Sequence, residues 1–191
     1  MLRCLNIALF AFIVVALAAC VPMANPPINA AAKGAAEQLS GPVASAALID
    51  AANTNRGKAL ASPRPDAVRI DLSVTGLRPG VYAMHLHSIG KCDAPDFKTA
   101  GAHVNPSNKM HGRDNPMGAH IGDLPNLNVT ENMEANISFD VPNIYIDGDN
   151  GLFDADGTSI IIHAQPDDYK TDPSGNSGAR VICGTFQHLV I

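Results

Sequence analysis

The residues of this chain that are best suited to chemistry are its histidines. Seven occur in 191 residues, all of them after residue 84: His85, His87, His103, His111, His120, His163 and His188. His85 and His87 are two residues apart in an alternating run, and in a strand their imidazoles project from one face with backbones about 6.6 Å apart. That spacing suits one shared metal ion, although an ordinary surface or core pair is the alternative.

A second group of ligand types follows in a polar segment rich in glycine and proline. It places three imidazoles and one carboxylate within 21 residues, namely His103, His111, His120 and Asp123. Three nitrogens and one carboxylate oxygen form a four-ligand set of the kind that zinc takes, with bonds of about 2.0 to 2.2 Å. Solvated loop histidines are the alternative, and the spacing alone does not decide between the two.

His163 ends another apolar run and extends the first group. If that run pairs antiparallel with the strand carrying His85 and His87, the ring of His163 reaches their face. One more imidazole from the loop then gives four nitrogens, a set that copper accepts in both of its oxidation states. A plain histidine at a strand end is the alternative.

Short strands are the elements predicted to position these residues. The run Val68 to Val74 alternates apolar and polar residues, and a turn at Leu77 to Gly80 leads into a second run at 81–87. Further strand-like runs are separated by Gly, Pro and Asp-Gly turns, and they cover 44–49, 57–62, 129–141, 159–164 and 180–186. Run 57–62 is the weakest, because prolines follow it. No amphipathic helix is indicated, so we predict an all-β antiparallel sandwich or barrel with two long functional loops at 88–128 and 166–179.

The amino terminus has the pattern of an export signal. Arg3 precedes a 13-residue apolar run at 7–19, which is shorter than the roughly 20 residues of a membrane span and within the range of a signal-peptide core. A buried core helix is the alternative. The sequence Leu17-Ala18-Ala19-Cys20 resembles the bacterial lipobox, in which cleavage leaves a lipidated cysteine at the new amino terminus.

The expected organisation therefore has three parts. Residues 1–19 form a signal peptide, residues 20–43 a lipidated Cys20 and a flexible tether, and residues 44–191 one folded domain. The lipid would anchor the protein to a membrane. Ordinary cleavage near Ala18, without lipid, is the other outcome.

The four cysteines agree with export. If Cys4 is removed with the signal and Cys20 carries lipid, Cys92 and Cys183 remain. In an oxidising compartment two such thiols form a lasting disulfide. Two unpaired buried thiols are the alternative.

Composition excludes nucleic acid as a partner. The formal charge is −5, no basic run is longer than a pair, aromatic residues make up 5% of the chain and tryptophan is absent. Neither the positive surface nor the stacking platforms of a nucleic-acid binder are present.

Taken in order, the motifs resemble those of a copper/zinc superoxide dismutase of the bacterial exported kind. The resemblance covers roughly residues 44–191. It is carried by Leu77-x-Pro79-Gly80-x-x-x-x-His85-x-His87-x-x-Gly90-x-Cys92, Ala100-Gly101-x-His103-x-Asn105-Pro106, His111-Gly112, His120-x-Gly122-Asp123-Leu124 and Gly175-Asn176-x-Gly178-x-Arg180-x-x-Cys183-Gly184.

The resemblance implies an eight-stranded Greek-key sandwich or flattened barrel and assigns a role to most of the candidate residues. The implied copper ligands are His85, His87, His103 and His163, and the implied zinc ligands are His103, His111, His120 and Asp123. His103 would therefore bridge the two metals. Asp167 would bond one ligand of each metal, Arg180 would guard the copper channel, and Cys92 would pair with Cys183. His188 has no counterpart in the family pattern.

The implied activity is dismutation of superoxide to oxygen and hydrogen peroxide on the periplasmic side of the bacterial envelope. A copper-buffering envelope lipoprotein without catalysis is the alternative. A zinc hydrolase of the His-x-His-x-Asp type is excluded, because Ile89 stands where its aspartate would be. A homodimer stays open, since the sequence does not set the oligomeric state.

Overall fold

The computed structural model describes residues 41–190. The predicted signal peptide, Cys20 and nearly all of the predicted tether lie outside the described residues, as does Ile191. Within residues 41–190 there is no helix whose length and apolar character would let it cross a membrane.

The described part of the chain is built almost entirely from short β-strands. Across residues 41–190 there are eleven strands and one short 3-10 turn at Lys98–Ala100. The strands are β1 Ala44–Asp50, β2 Asn55–Arg64, β3 Ala67–Thr75, β4 Gly80–Tyr82, β5 Met84–His87, β6 Leu127–Val129, β7 Glu134–Pro142, β8 Tyr145–Asp147, β9 Gly151–Phe153, β10 Ser159–His163 and β11 Arg180–His188. The predicted all-β fold is confirmed.

One curled sheet carries most of the strands, in the order β5-β10-β11-β1-β2-β3-β7, with antiparallel neighbours throughout. A short antiparallel pair joins β4 to β6, and a short parallel pair joins β8 to β9. Strand β5, which carries His85 and His87, is thus at one end of the large sheet and beside β10.

The core lies on the concave side of this sheet and follows the alternation seen in the sequence. On β3 the residues Val68, Ile70, Leu72 and Val74 are buried, and the residues between them are more exposed. This is the two-residue period of a strand with one face in the core. Strand β10 is buried on both faces, and its residue Ile161 packs in a second cluster with Phe97, Ala100 and Cys183.

The sequence did not predict β8 and β9, and the largest differences between the other strands and the predicted runs are at three places. The predicted run 81–87 divides at Ala83, because the chain exchanges β6 for β10 as its partner there, and the Ala83 carbonyl accepts from His163 N at 2.9 Å. The predicted run 129–141 divides into β6 and β7 around a turn. Strand β2 is longer than predicted, since the backbone pairs with β3 as far as Arg64.

Candidate metal centre

Strands β5 and β10 bring three histidines together. In the antiparallel register His85 lies opposite Ile161 and His87 opposite Ser159, and His163 follows at the end of β10. The ring centroids are 4.7 Å apart for His85 and His163, and 5.7 Å apart for His87 and His163. All three side chains are buried.

The long loop after β5 folds back across the same strand and adds a fourth imidazole. Backbone bridges pair His87 with His103 and His85 with Asp123, so the loop is held along β5 at both ends. As a result the His103 ring stacks on the His85 ring with centroids 3.9 Å apart. The four ligand atoms of this group, which we call the four-histidine group, lie within 4.8 Å of one another: His85, His87, His103 and His163.

Three nitrogens in the four-histidine group have no hydrogen-bond partner among the atoms of residues 41–190: His85 Nδ1, His87 Nε2 and His163 Nε2. The other nitrogen of each ring has a hydrogen-bond partner. His85 Nε2 lies 3.0 Å from Asp167 Oδ2, His87 Nδ1 lies 2.9 Å from the Gly101 carbonyl, and His163 Nδ1 lies 3.3 Å from the Gly178 carbonyl. Buried polar atoms are rarely left unpaired without a reason. These nitrogens suit a copper ion, which takes imidazole ligands readily.

A second group, the Asp123 group, surrounds one carboxylate. Asp123 Oδ1 lies 3.1 Å from His103 Nδ1, 2.9 Å from His111 Nδ1 and 3.1 Å from His120 Nδ1. The Nδ1 atoms of His103 and His120 are 3.3 Å apart. Ligands at the corners of a zinc tetrahedron with bonds of about 2.0 Å are separated by roughly 3.3 Å. The Asp123 group therefore has the ligand types and spacing of a zinc site.

His85 also approaches the Asp123 group, since its ligand atom lies within 4.8 Å of those of His103, His111 and Asp123. His120 Nδ1 lies 3.3 Å from His103 Nδ1 and 3.1 Å from Asp123 Oδ1, which makes His120 a candidate for the fourth member of this group. His111 Nδ1, although close to Asp123 Oδ1, makes no hydrogen bond. Its lone pair is thus available to a metal.

Asp167 joins the two groups from outside. One carboxylate oxygen lies 3.0 Å from His85 Nε2, and the other lies 3.0 Å from His111 Nε2. Burial alone would raise the pKa of Asp167, but its hydrogen bonds with His111 and His85 hold that pKa below the ordinary value. Such outer partners fix the tautomer and orientation of metal-ligating rings.

The surroundings of Asp167 include Asn126, which the sequence did not single out, and Gly175, which begins the last of the quoted motifs. Asn126 Nδ2 donates to the Asp167 carbonyl at 3.0 Å, and the Asp167 amide donates to Asn126 Oδ1 at 2.9 Å. Gly175 has a φ of +63°, and a Cβ on it would lie 1.8 Å from Asp167 Oδ1. Only glycine fits this position without displacing the carboxylate.

Burial and nearby carboxylates shift the pKa values of individual histidines of the site in opposite directions. Burial lowers the pKa of His87 to about 2, of His163 to about 3 and of His103 to about 4. Burial opposes charge on His111 as well, but the nearby carboxylates of Asp123 and Asp167 raise its pKa to about 9. In the metal-free protein at neutral pH, the four-histidine group needs few protons removed before a metal binds, whereas His111 must lose one.

Arg180 lies at the start of β11 and is fixed by two backbone carbonyls. Its Nη1 donates to the Phe97 carbonyl and its Nη2 to the Gly101 carbonyl, each at 2.7 Å. The same Gly101 carbonyl accepts from His87 Nδ1 at 2.9 Å. The guanidinium is therefore held in a defined position relative to the His87 ring.

A disulfide between Cys92 and Cys183 connects the loop to β11, with Cα atoms 5.7 Å apart. It confirms the pairing expected from the cysteine count. His188 lies away from both groups, stacked on Phe153 with ring centroids 3.7 Å apart and 3.3 Å from Asp147 Oδ1. The structure thus brings together every predicted ligand and leaves out the one histidine that the motifs did not use.

Comparison with known proteins agrees with this site. A family model described as copper/zinc superoxide dismutase matches residues 55–186. The chain belongs to this family. It is 42% identical over 136 residues to the copper-zinc superoxide dismutase 1 of Aquifex aeolicus, covering 69% of this chain and 79% of that protein. It is also 42% identical over 135 residues to the copper-zinc superoxide dismutase of Caulobacter vibrioides, covering 69% and 78%.

A solved structure gives the same result for the fold. The crystal structure of a superoxide dismutase-like protein from Bacillus subtilis superposes with a TM-score of 0.72 at 38% identity, covering 76% of this chain and 98% of that one. As a copper/zinc superoxide dismutase, this chain is an oxidoreductase whose family uses copper and zinc. The predicted fold, enzyme class and metals are confirmed, and the role of each ligand stays a prediction.

Proposed function

We propose that this chain dismutes superoxide at a copper ion held by the four-histidine group, beside a zinc ion held by His103, His111, His120 and Asp123. The observation that carries the proposal is the position of His103, which belongs to both groups. Its Nδ1 lies 3.1 Å from Asp123 Oδ1, and its ring stacks on His85 with centroids 3.9 Å apart. One imidazole ring can in this way serve both metals.

When bound, copper would supply one-electron exchange with superoxide, and zinc would supply positive charge that helps to hold its ligands in place. Two superoxide ions and two protons give one oxygen and one hydrogen peroxide. The protein must therefore hold and deliver protons at the site.

His103 is the residue placed to handle a proton. Its Nδ1 is held within the Asp123 group, so the ring keeps its position while Nε2, the nitrogen that serves the four-histidine group, gains or loses a proton. Burial lowers the pKa of His103 to about 4, so the ring is uncharged at neutral pH in the metal-free protein. Asp167 keeps the rings of His85 and His111 in the tautomers that leave Nδ1 free for metal.

Arg180 is the residue placed to attract the anion. Burial lowers the pKa of its guanidinium and Asp96 raises it, but an arginine remains charged at neutral pH. Two carbonyls fix the group, and one of them, that of Gly101, also accepts from His87 Nδ1, so the positive charge is held beside the four-histidine group. This matters because the chain as a whole is negative, with a formal charge of −5.

We also propose that the enzyme works on the periplasmic side of the cell envelope. The support is the signal-like run at 7–19, the lipobox-like Leu17-Ala18-Ala19-Cys20 and a disulfide that requires an oxidising compartment. In this proposal residues 1–19 are removed, lipidated Cys20 anchors the chain, residues 20–43 act as tether and the domain is 44–191. A homodimer stays a prediction.

The test is a His103→Ala variant compared with wild type and with His188→Ala as a control imidazole outside both groups. Metal content and superoxide consumption are measured on each purified protein. We expect one copper and one zinc per wild-type chain, with activity lost in the His103 variant and kept in the control. Copper bound by wild type without turnover would instead support the copper-buffering alternative, and full activity without His103 would overturn the bridge.

A further inference from the structure

Tyr169, a residue that the mechanism above does not use, lies where the two long loops of the fold meet. We call residues 88–128 the ligand loop, because they carry the members of the Asp123 group, and residues 166–179 the Asp167 loop. Tyr169 belongs to the Asp167 loop and is half-buried, but both its ring and its hydroxyl contact the ligand loop. It therefore connects the proposed zinc ligands to the segment that carries their outer partner.

The Tyr169 side chain has one partner at its ring and another at its hydroxyl. The guanidinium carbon of Arg113 lies 3.7 Å from the centroid of the ring, which is a cation–π contact. The hydroxyl oxygen accepts from the Asn126 amide at 2.8 Å. Arg113 is two residues after His111, and Asn126 is three residues after Asp123. Each contact is thus made within three residues of a proposed zinc ligand.

The Tyr169 backbone contacts the same groups. Its amide donates to Asp167 Oδ1 at 2.7 Å, and this is the oxygen that lies 3.0 Å from His111 Nε2. Its carbonyl accepts from the Asp114 amide at 3.0 Å. A Cβ on Gly112 would overlap the Tyr169 carbonyl, so the two loops can touch here only because residue 112 is a glycine.

Tyr169 occupies this position in an unfavourable backbone conformation. Its φ is +61°, in the left-handed region that a bulky side chain rarely adopts. Such conformations persist where the surrounding contacts over-determine them, and they collect at functional sites. The partners at the ring, hydroxyl, amide and carbonyl of Tyr169 are contacts of this kind.

We propose that Tyr169 is a positioning residue for zinc: its side chain holds the Asp167 loop on the ligand loop, which keeps the Asp167 carboxylate against His111. The inference rests on the proposed function, in which His111 is a zinc ligand. Tyr169 bonds Asp167 Oδ1, whereas His85 is bonded by Oδ2. The effect should therefore be larger on the Asp123 group than on the four-histidine group.

The test measures zinc affinity by chelator competition, starting from the zinc-loaded chain. Tyr169→Leu removes the ring and the hydroxyl, and Tyr169→Phe keeps the ring beside Arg113 and removes only the hydroxyl. Both variants carry a side chain at the same positive φ, so the backbone cost is similar. The matched control is Tyr145→Leu, which replaces an exposed tyrosine of β8 outside both loops.

An exposed cation–π contact corresponds to about two- to fivefold in an equilibrium constant, and one hydrogen bond to about two- to tenfold. We expect Tyr169→Leu to weaken zinc binding by about five- to twentyfold and Tyr169→Phe by about two- to fivefold, since the ring contact is kept. The control should stay within about twofold of wild type, as is usual for a surface substitution. Zinc affinity of Tyr169→Leu equal to that of wild type would overturn the inference.

Two further readouts separate positioning from a general loosening of the fold. Copper affinity, measured with the zinc site saturated, should fall by less than about threefold in Tyr169→Leu, because Asp167 Oδ2 is not bonded by Tyr169. In an Asp167→Ala background, Tyr169→Leu should weaken zinc binding by less than about twofold further, because it acts through the carboxylate that is already lost. Equal losses for both metals, or losses that simply add to that of Asp167→Ala, would overturn the inference.

Melting temperatures of the metal-free variants show whether each one folds. If Tyr169→Leu does not fold, Tyr169→Phe decides, and zinc affinity equal to that of wild type in this variant would overturn the inference. If wild type bound both metals but did not dismute superoxide, the proposed function would fail. The zinc affinities would still decide whether Tyr169 positions the site.

Discussion

Replacing Asp167 by asparagine tests the link between the two metal groups. The carboxylate accepts from His85 Nε2 and His111 Nε2 at 3.0 Å each, and its side chain is fully buried. An amide can accept on its oxygen, but its NH2 donates to the other ring. That ring must then accept at Nε2 and carry its proton on Nδ1, the nitrogen that faces the metal.

The expected loss of metal affinity in Asp167→Asn follows from the change at the two histidine rings. One ring keeps its hydrogen bond, and the other is held in a tautomer that cannot bind metal without rearranging. Loss of an outer partner of this kind weakens metal binding by about 10- to 100-fold, which corresponds to about 1.4 to 2.7 kcal/mol. We expect this loss for one of the two metals and a smaller loss for the other.

The assay is chelator competition, run separately for zinc and copper on Asp167→Asn and on Asp168→Asn. Asp168 is the neighbouring carboxylate, but it is exposed and bonds Thr171 and Asn176 instead of histidine. The control should stay within about threefold of wild type. Equal affinity of Asp167→Asn and wild type for both metals would refute the argument from tautomers.

Three further predictions concern the capture of superoxide by Arg180, the stability of the metal-free protein in acid, and the contribution of the disulfide to stability. Arg180→Ala should lower kcat/KM by about tenfold at low ionic strength and weaken its salt dependence, since a local positive charge is lost; unchanged kinetics at low ionic strength would remove Arg180 from the mechanism. Metal-free protein should lose stability as pH falls from 6.5 toward about 4, because His87, His103 and His163 are neutral when folded but take up protons when unfolded, with folded pKa values of about 2, 4 and 3. His111 acts in the opposite direction, and its contribution is lost as pH rises through about 9. Melting temperatures of the metal-free protein between about pH 4 and pH 10 check both effects, and a flat profile would contradict them. Replacing both Cys92 and Cys183 by serine should lower the free energy of unfolding by roughly 4 to 5 kcal/mol from loop-closure entropy; urea unfolding measures it, with oxidised wild type as reference, and a change below about 1 kcal/mol would show that the crosslink adds little.

The sequence predicted those strands whose alternation of apolar and polar residues matches the alternation of buried and exposed side chains in the structure. Strand β3 was predicted because one of its faces is buried along its whole length, which gives a clear two-residue period. The division at Ala83 was not predictable, since the exchange of partner strand depends on residues 127–129 and 159–163, far along the chain. Strands β8 and β9 were missed because each has three residues between glycines and aspartates.

At the metal centre, too, the sequence predicted what local residue types show and missed what depends on distant parts of the chain. The proposed ligands are side chains, and their types and order were visible in the motifs. Several of the groups that orient them are backbone carbonyls, such as those of Gly101, Lys109 and Gly178. Every residue has a carbonyl, so no sequence pattern marks the one that will face a ring. Asn126 was missed for a related reason, because its two bonds to the Asp167 backbone depend only on how the loops meet.

The Gly101 carbonyl has two donors, His87 Nδ1 and Arg180 Nη2. This single peptide oxygen contacts both a ring of the proposed copper site and the guanidinium that we propose attracts superoxide. In the proposed mechanism, a backbone shift at Gly101 would change the angle of that ring and the position of that charge together. Selection could not readily tune one without disturbing the other.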